Sequence, residues 1–202
     1  MGELSRKNFS NWKKLVNDED TVLVPGDISW AMDLENARID LQKIDDLPGK
    51  KILMKGNHDY WWSSLNKLND LNFKTISFLQ NNSFTIDDYI ICGTRGWISK
   101  DSREFTDHDL KIYNRELLRL ENSIKTSKMD KKLIVNFHYP PINSDGSLNE
   151  FFEICKKYDT DTIIYGHLHG AGHRLIREGN FDGINLVCVS GDYVDFMPVR
   201  IK

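Results

Sequence analysis

Apolar positions recur along this chain with two alternating periods, and the alternation predicts helices and strands taking turns. Trp12, Leu15 and Val16 fall at helical steps behind Ser10, which reads as a helix cap, and the β-branched run Thr21 to Val24 follows, ending at Pro25-Gly26-Asp27. Leu34, Ala37, Leu41 and Ile44 then repeat at steps of three and four until Pro48-Gly49, where Lys51 to Met54 begins a second apolar run. That run stops at Gly56-Asn57-His58-Asp59, after which Trp61, Leu65 and Leu68 return to helical spacing. From Phe73 to Trp97 the pattern is strand-like around an Asp87-Asp88 turn and predicts a meander. Leu110, Tyr113, Leu117, Leu120 and Ile124 mark the longest helix, which spans too few heptads for a coiled coil. Leu133 to Phe137 predicts a strand, Ser147 to Tyr158 a helix and Thr162 to Tyr165 another strand. His173 to Ile201 alternates as hairpin strands, with turns near Gly179 and Gly191.

Composition narrows the class without changing this outline. With 202 residues, 40% of them hydrophobic, the chain can bury a core, and residues 1–202 read as one domain. A net charge of -3 and a pI near 6.1 supply no bulk field for nucleic acid or anionic lipid, so a polyanion partner would need a local patch. Cys92, Cys155 and Cys188 are odd in number and far apart, which argues against a disulfide framework or a thiolate zinc site. The first ten residues lack the apolar core of an export signal, and no stretch approaches the roughly eighteen apolar residues of a membrane span. Arg6 stands where a myristoylation motif wants Ser or Thr. The expectation is a soluble, cytoplasmic protein with reduced thiols and no membrane partner.

Four predicted strand ends deliver polar groups able to hold a metal: Asp27, then Asn57 with His58 and Asp59, then His138, then His167 with His169. Open α/β sheets place their sites at the carboxyl ends of strands, so these groups can meet in space. Taken singly each has a plainer explanation, because Asp and Asn are turn formers and a lone histidine after a strand is more often a hydrogen-bonded structural residue. The ordered set outweighs those explanations. One carboxylate, one amide oxygen and several imidazoles suit Mn, Fe or Zn better than a thiolate zinc site or an all-oxygen calcium cage.

In this order the motifs Gly26-Asp27, Gly56-Asn57-His58-Asp59, His138 and Gly166-His167-Leu168-His169 resemble the calcineurin-like metallophosphoesterase superfamily, whose series runs DxH, GDxxD, GNH[DE], a lone His and GHxH. The resemblance implies an α/β fold, a four-layer α-β-β-α sandwich with two mixed sheets. It implies two divalent metal ions bridged by Asp27, with Asn57, His138 and His167 completing one and His169 serving the other. The implied activity is hydrolysis of a phosphomonoester or phosphodiester, on a small molecule or nucleotide, by metal-activated hydroxide, with His58 protonating the leaving group or steadying the transition state.

Two departures qualify the resemblance. No Asp-x-His occurs in the first 26 residues, so the expectation is an N-terminally truncated chain that lacks the first strand and starts naturally further upstream. It would then hold one ion rather than two, with impaired activity. The second acid of GDxxD is Trp30, leaving Asp33 and Asp59 as candidates for the residue that orients the site. Beyond the motifs, Arg95 is a candidate phosphate clamp and Trp62 a candidate stacking surface, whereas Trp61 fits the apolar stripe, and His108 and His173 have no motif neighbours. The competing reading is a non-catalytic metal-binding or protein-interaction module on the same fold. A protein Ser/Thr phosphatase is disfavoured, because those enzymes carry GDxVDRG and RGNHE where this chain reads GDISWA and KGNHD.

Overall fold

In the computed structural model, which describes residues 3–128 and 130–201, the alternation of periods becomes an alternation of layers. The elements are α1 (Glu3–Leu15), β1 (Thr21–Val24), α2 (Leu34–Asp45), β2 (Lys50–Met54), α3 (Leu65–Asn69), β3 (Ile76–Leu79), β4 (Phe84–Ile86), β5 (Tyr89–Thr94), α4 (Asp107–Lys125), β6 (Lys132–Phe137), α5 (Glu150–Lys157), β7 (Thr160–Tyr165), a short 3₁₀ helix (Gly170–Leu175), β8 (Gly179–Phe181) and β9 (Ile184–Cys188). They form a three-stranded sheet in the order β1-β2-β3 and a six-stranded sheet in the order β4-β5-β6-β7-β9-β8.

Period-2 alternation decides which side chain enters which layer. On β2, Leu53 packs with Ala37 and Leu41 of α2, while Ile52 and Met54 point to the other face. There they meet Ile91, Ile134 and Ile164 from the six-stranded sheet. The opposite face of that sheet, including Cys92, Val135, Phe137, Ile163 and Tyr165, packs against Tyr113, Leu120 and Ile124 of α4 and Phe151, Phe152 and Cys155 of α5. Helix, sheet, sheet and helix are therefore stacked as expected, although the smaller sheet is wholly parallel and only the larger is mixed. All three cysteines are free and buried, and no helix among the described residues is long and apolar enough to cross a membrane.

Several local expectations give way to tertiary structure. Ser10 lies inside α1, which begins at Glu3, because the stripe Phe9, Trp12 and Val16 packs on Leu47 and Val22 and carries the helix past that residue. The Phe73–Trp97 segment is not a meander. Strand β3 joins the smaller sheet beside β2, and only β4 and β5 form a hairpin. Trp61 precedes α3 rather than starting it, though it is buried in the core as expected. The last hairpin turns at Asp182-Gly183, both with positive φ, and the segment around Gly191 is an irregular turn rather than strand.

One polar feature is built into this core. The Lys51 ammonium is fully buried under the end of α2 and donates to the carbonyls of Asp45 and Leu47 and to Thr75 Oγ1. A cation there answers the unpaired carbonyls and negative dipole end of the helix. The Asp45 carboxylate accepts from Lys74 N, Thr75 N and Thr75 Oγ1 at 3.1, 2.8 and 2.6 Å. Burial raises its pKa, but these hydrogen bonds outweigh burial and hold it below 3.8. A depressed folded-state pKa means that the carboxylate's contribution is complete above the unfolded value and is lost as pH falls through the folded one. Asp45→Ala is accordingly expected to cost about 2–3 kcal/mol in urea denaturation at pH 7. The gap from the natural chain should narrow as the pH is taken below about 4.

Candidate metal centre

The carboxyl ends of β1 and β2 in one sheet and of β6 and β7 in the other meet along a seam. Asp27, Asn57, His138 and His167 project into it from one to three residues beyond those ends. Two glycines permit the approach. Gly26 has φ +95°, and a Cβ there would stand 2.5 Å from the Gly56 backbone and 2.8 Å from His138 Nδ1; a Cβ on Gly56 would stand 2.2 Å from Asp27 N. Asp27 and His167 are themselves held at φ of 55° and 69°. Such left-handed backbone costs a non-glycine residue on the order of 1 kcal/mol and persists only where surrounding contacts impose it.

The imposing contact for Asp27 is the Asp59 carboxylate, which is 0% exposed. One oxygen accepts from Asp27 N and Gly56 N at 2.8 and 2.7 Å; the other accepts from Ile28 N, Ser29 N and Trp61 Nε1 at 2.8, 3.1 and 3.1 Å. Burial raises the Asp59 pKa, and the donated N–H groups oppose the rise. Asp59 thus ties the two loops together, and His58 N completes the tie by donating to Asp27 Oδ1 at 2.9 Å. Asp33 does a different job. It is the N-cap of α2, accepting from Asn36 N at 2.9 Å, so of the two acids suggested for an orienting role only Asp59 stands among the site loops.

The donor atoms of the set converge. His138 Nε2 lies 2.6 Å from Asn57 Oδ1, 3.2 Å from His167 Nδ1 and 3.6 Å from Asp27 Oδ2, and His167 Nδ1 lies 3.0 Å from Asn57 Oδ1. His138 Nδ1 is 2.8 Å from the Pro25 carbonyl. A carbonyl only accepts, so Nδ1 carries the hydrogen and a neutral ring presents a lone pair at Nε2, directly at the Asn57 carbonyl oxygen. Burial lowers the His138 pKa despite the opposing charge of Asp27; burial and then His138 bring His167 to about 4. Both rings are therefore neutral near pH 7, and the His138 Nε2 lone pair faces the Asn57 carbonyl oxygen; His167 Nδ1 adds a third lone pair when its ring carries the hydrogen on Nε2.

The contact between His138 Nε2 and Asn57 Oδ1 is repulsive by itself, and a cation among these atoms would relieve it. Two ligands of one ion, with bonds of about 2.0–2.2 Å, sit roughly 3–3.5 Å apart, close to three of the four separations found here. The residues fit a divalent ion in chemistry and spacing. Among the described residues no three His, Cys, Asp or Glu side chains form an ion cage by themselves; the Asn57 amide oxygen joins His138 to His167, and Asp27 reaches them through His138.

His169 stands apart. Its Nδ1 is 2.7 Å from Asp192 Oδ1, and Asp192 Oδ2 accepts from Gly170 N at 2.9 Å and lies 3.1 Å from His173 Nε2. These partners hold the Asp192 carboxyl well below the usual carboxylate range. Sequence reasoning missed Asp192 and set His173 aside, since neither belongs to a motif; a carboxylate on Nδ1–H leaves His169 Nε2 as the nitrogen able to bind. His58 stacks on Trp30, with ring centroids 4.4 Å apart, so the residue in the place of the second acid contacts the same histidine through an aromatic face. Trp30 is 72% exposed, and His58 Nδ1 is buried without a hydrogen-bond partner. Arg95 points away from the seam towards Glu116. Trp62 packs on Trp61 and Phe78, donates to Gln80 and lines a cleft beside the seam.

The family model for calcineurin-like phosphoesterases matches residues 5–171. Among solved structures, a protein of unknown function from Aquifex aeolicus, AQ665, is similar with 20% identity and a TM-score of 0.51 over 98% of this chain and 82% of that one. The phosphopantetheinyl hydrolase PptH from Mycobacterium tuberculosis is similar with 14% identity and a TM-score of 0.55 over 86% of this chain and 80% of that one. No curated protein matches the chain.

Two substitutions separate the roles of the acids. Asp59→Asn turns an amide N–H₂ against backbone donors and should cost about 3 kcal/mol in thermal or urea unfolding. Asp33→Ala, the loss of one helix cap, should cost about 1 kcal/mol. Equal losses would show that Asp59 is no more than a local cap.

Proposed function

The chain belongs to the calcineurin-like phosphoesterase family, and on that premise we propose that it hydrolyses a phosphomonoester or phosphodiester of a small molecule or nucleotide with a divalent ion, Mn, Fe or Zn. The observation that carries this reading is the meeting of Asp27, Asn57, His138 and His167 at four strand ends, with the His138 Nε2 lone pair turned on the Asn57 carbonyl oxygen. A bound ion there would polarise phosphoryl oxygens and acidify water.

The chain's own residues have separable tasks. Asn57, His138 and His167 would hold the ion on backbone that Asp59 and the Pro25 carbonyl keep in place, so that little reorganisation is needed when substrate arrives. Asp27 supplies the negative charge that offsets it. His169, with Nδ1–H fixed by Asp192, offers Nε2 to a second ion or to substrate. His58 delivers a proton to the leaving oxygen from a ring that Trp30 restrains by stacking, and the exposed indole gives the leaving group an apolar surface.

Turnover of p-nitrophenyl phosphate or bis-p-nitrophenyl phosphate is expected to need added divalent ion, Mn foremost, and to stop with EDTA. Asn57→Ala and His138→Ala should abolish it, and His58→Ala should lower kcat by about 10²–10⁴. Activity that persists in EDTA, or in His138→Ala, contradicts the proposal. Metal bound without turnover of any phosphoester would instead favour a non-catalytic module on this fold.

A further inference from the structure

Beside the seam a cleft of about 180 Å³ opens between the ends of β2 and β3 in one sheet and β5 in the other, and Lys55, Gln80, Arg95, Glu116 and Arg119 line it. At roughly 30 Å³ per water molecule it has room for about six waters. That suits a phosphate-sized group and is smaller than the roughly 300 Å³ at which organic ligand pockets begin.

Three cations face this space against one carboxylate. Glu116, 1% exposed, already accepts from Thr94 Oγ1 at 2.5 Å and Arg119 Nη1 at 2.7 Å and stands 3.6 Å from Arg95 Nη2. Arg95 has a side chain only 13% exposed and a buried Nε without a partner. Its guanidinium lies 4.3 Å over the Trp97 ring, which holds it in place. Lys55 is half-buried, with no ion pair or hydrogen bond from its ammonium among the described residues. Burial holds the pKa of Arg95 below the usual arginine range. Cations so withdrawn from water and so poorly neutralised are costly unless a counter-charge joins them. The cleft also adjoins the metal-site residues: Lys55 is two positions before Asn57, and the Arg95 carbonyl accepts from Tyr139 N, next to His138, at 2.9 Å.

We propose that Lys55, Arg95 and Arg119 form an anion subsite for a second phosphate group of the substrate whose phosphoester is hydrolysed at Asn57 and His138. The substrate class is then a phosphoester bearing a second phosphate. The guanidinium groups match its oxygens and the Lys55 ammonium adds a point charge. The substrate part of this inference rests on the phosphoester reading; the anion site does not.

The test has two arms. In excess EDTA, which removes any contribution from metal, calorimetric titration with inorganic phosphate should show one bound anion per chain. The Kd should rise about tenfold or more in Lys55→Met and in Arg119→Gln, whose circular dichroism shows them folded. Arg103→Gln, an exposed charge outside the cleft, should leave the Kd where it was. With Mn present, kcat/KM for a hexose bisphosphate should exceed that for the hexose monophosphate by about tenfold, and Arg119→Gln should shrink that ratio towards one. Absent phosphate binding, or binding equal in all the variants, overturns the subsite whatever the turnover. Phosphate binding that is lost in the cleft variants, with no phosphoester hydrolysed, upholds the anion site and overturns the hydrolase reading instead. Binding as expected with equal kcat/KM for the two hexose phosphates overturns the assignment to substrate.

Discussion

Four backbone N–H groups, from Asp27, Ile28, Ser29 and Gly56, together with the Trp61 indole, end on a single carboxylate that water does not reach. Without that acceptor the four backbone donors would lose their partner, at about 1–3 kcal/mol apiece, while the Trp61 indole would keep only its bond to the Ser29 carbonyl. Asp59 therefore does more than close a turn. It forces the loop after β1 and the loop after β2 into one rigid body and imposes the left-handed backbone of Asp27. The glycine contact between Gly26 and Gly56 is possible only at that separation.

Across the seam the second sheet brings His138 and His167, and here the constraint is electrostatic. Two desolvated, neutral imidazoles and an amide oxygen meet beside a carboxylate, with the His138 Nε2 lone pair set against the Asn57 oxygen. In isolation this arrangement is unfavourable; around a cation it becomes a ligand set. The same economy recurs at smaller scale in His169, whose Nδ1 is taken by Asp192, and in the cleft beside the seam, where basic side chains outnumber the carboxylate that faces them. Strand ends and the loops after them carry the polar groups of all three places.

The layers were legible because their signal is local. Short apolar runs on β2, β6 and β7 and three-four spacing on α2 and α4 are properties of short windows, and the order of polar motifs at strand ends followed from them. Sheet membership was not legible. β3 and β4 look alike in sequence, yet β3 pairs with β2 and β4 with β5, a choice made by packing over long separations. Ser10 misled for a related reason, since the contacts of Phe9 and Trp12 outweigh a capping preference. Within the site, Asn57, His138 and His167 could be brought together on paper from their motifs. Asp192 could not, because it sits 23 residues beyond His169 in an irregular turn with no periodicity to mark it. The Trp30 stack on His58 was equally hidden, as side-chain stacking leaves no spacing rule in sequence.

The central claim is that the converging lone pairs of Asn57, His138 and His167 hold a divalent ion. Equilibrium dialysis against Mn²⁺ at neutral pH, with protein-bound metal counted for the natural chain and for Asn57→Leu, tests it without reference to any substrate. The account predicts at least one tightly held ion per natural chain and an affinity at least about tenfold weaker in the variant. Equal Mn²⁺ binding by the two proteins, or none by the natural chain, would contradict it.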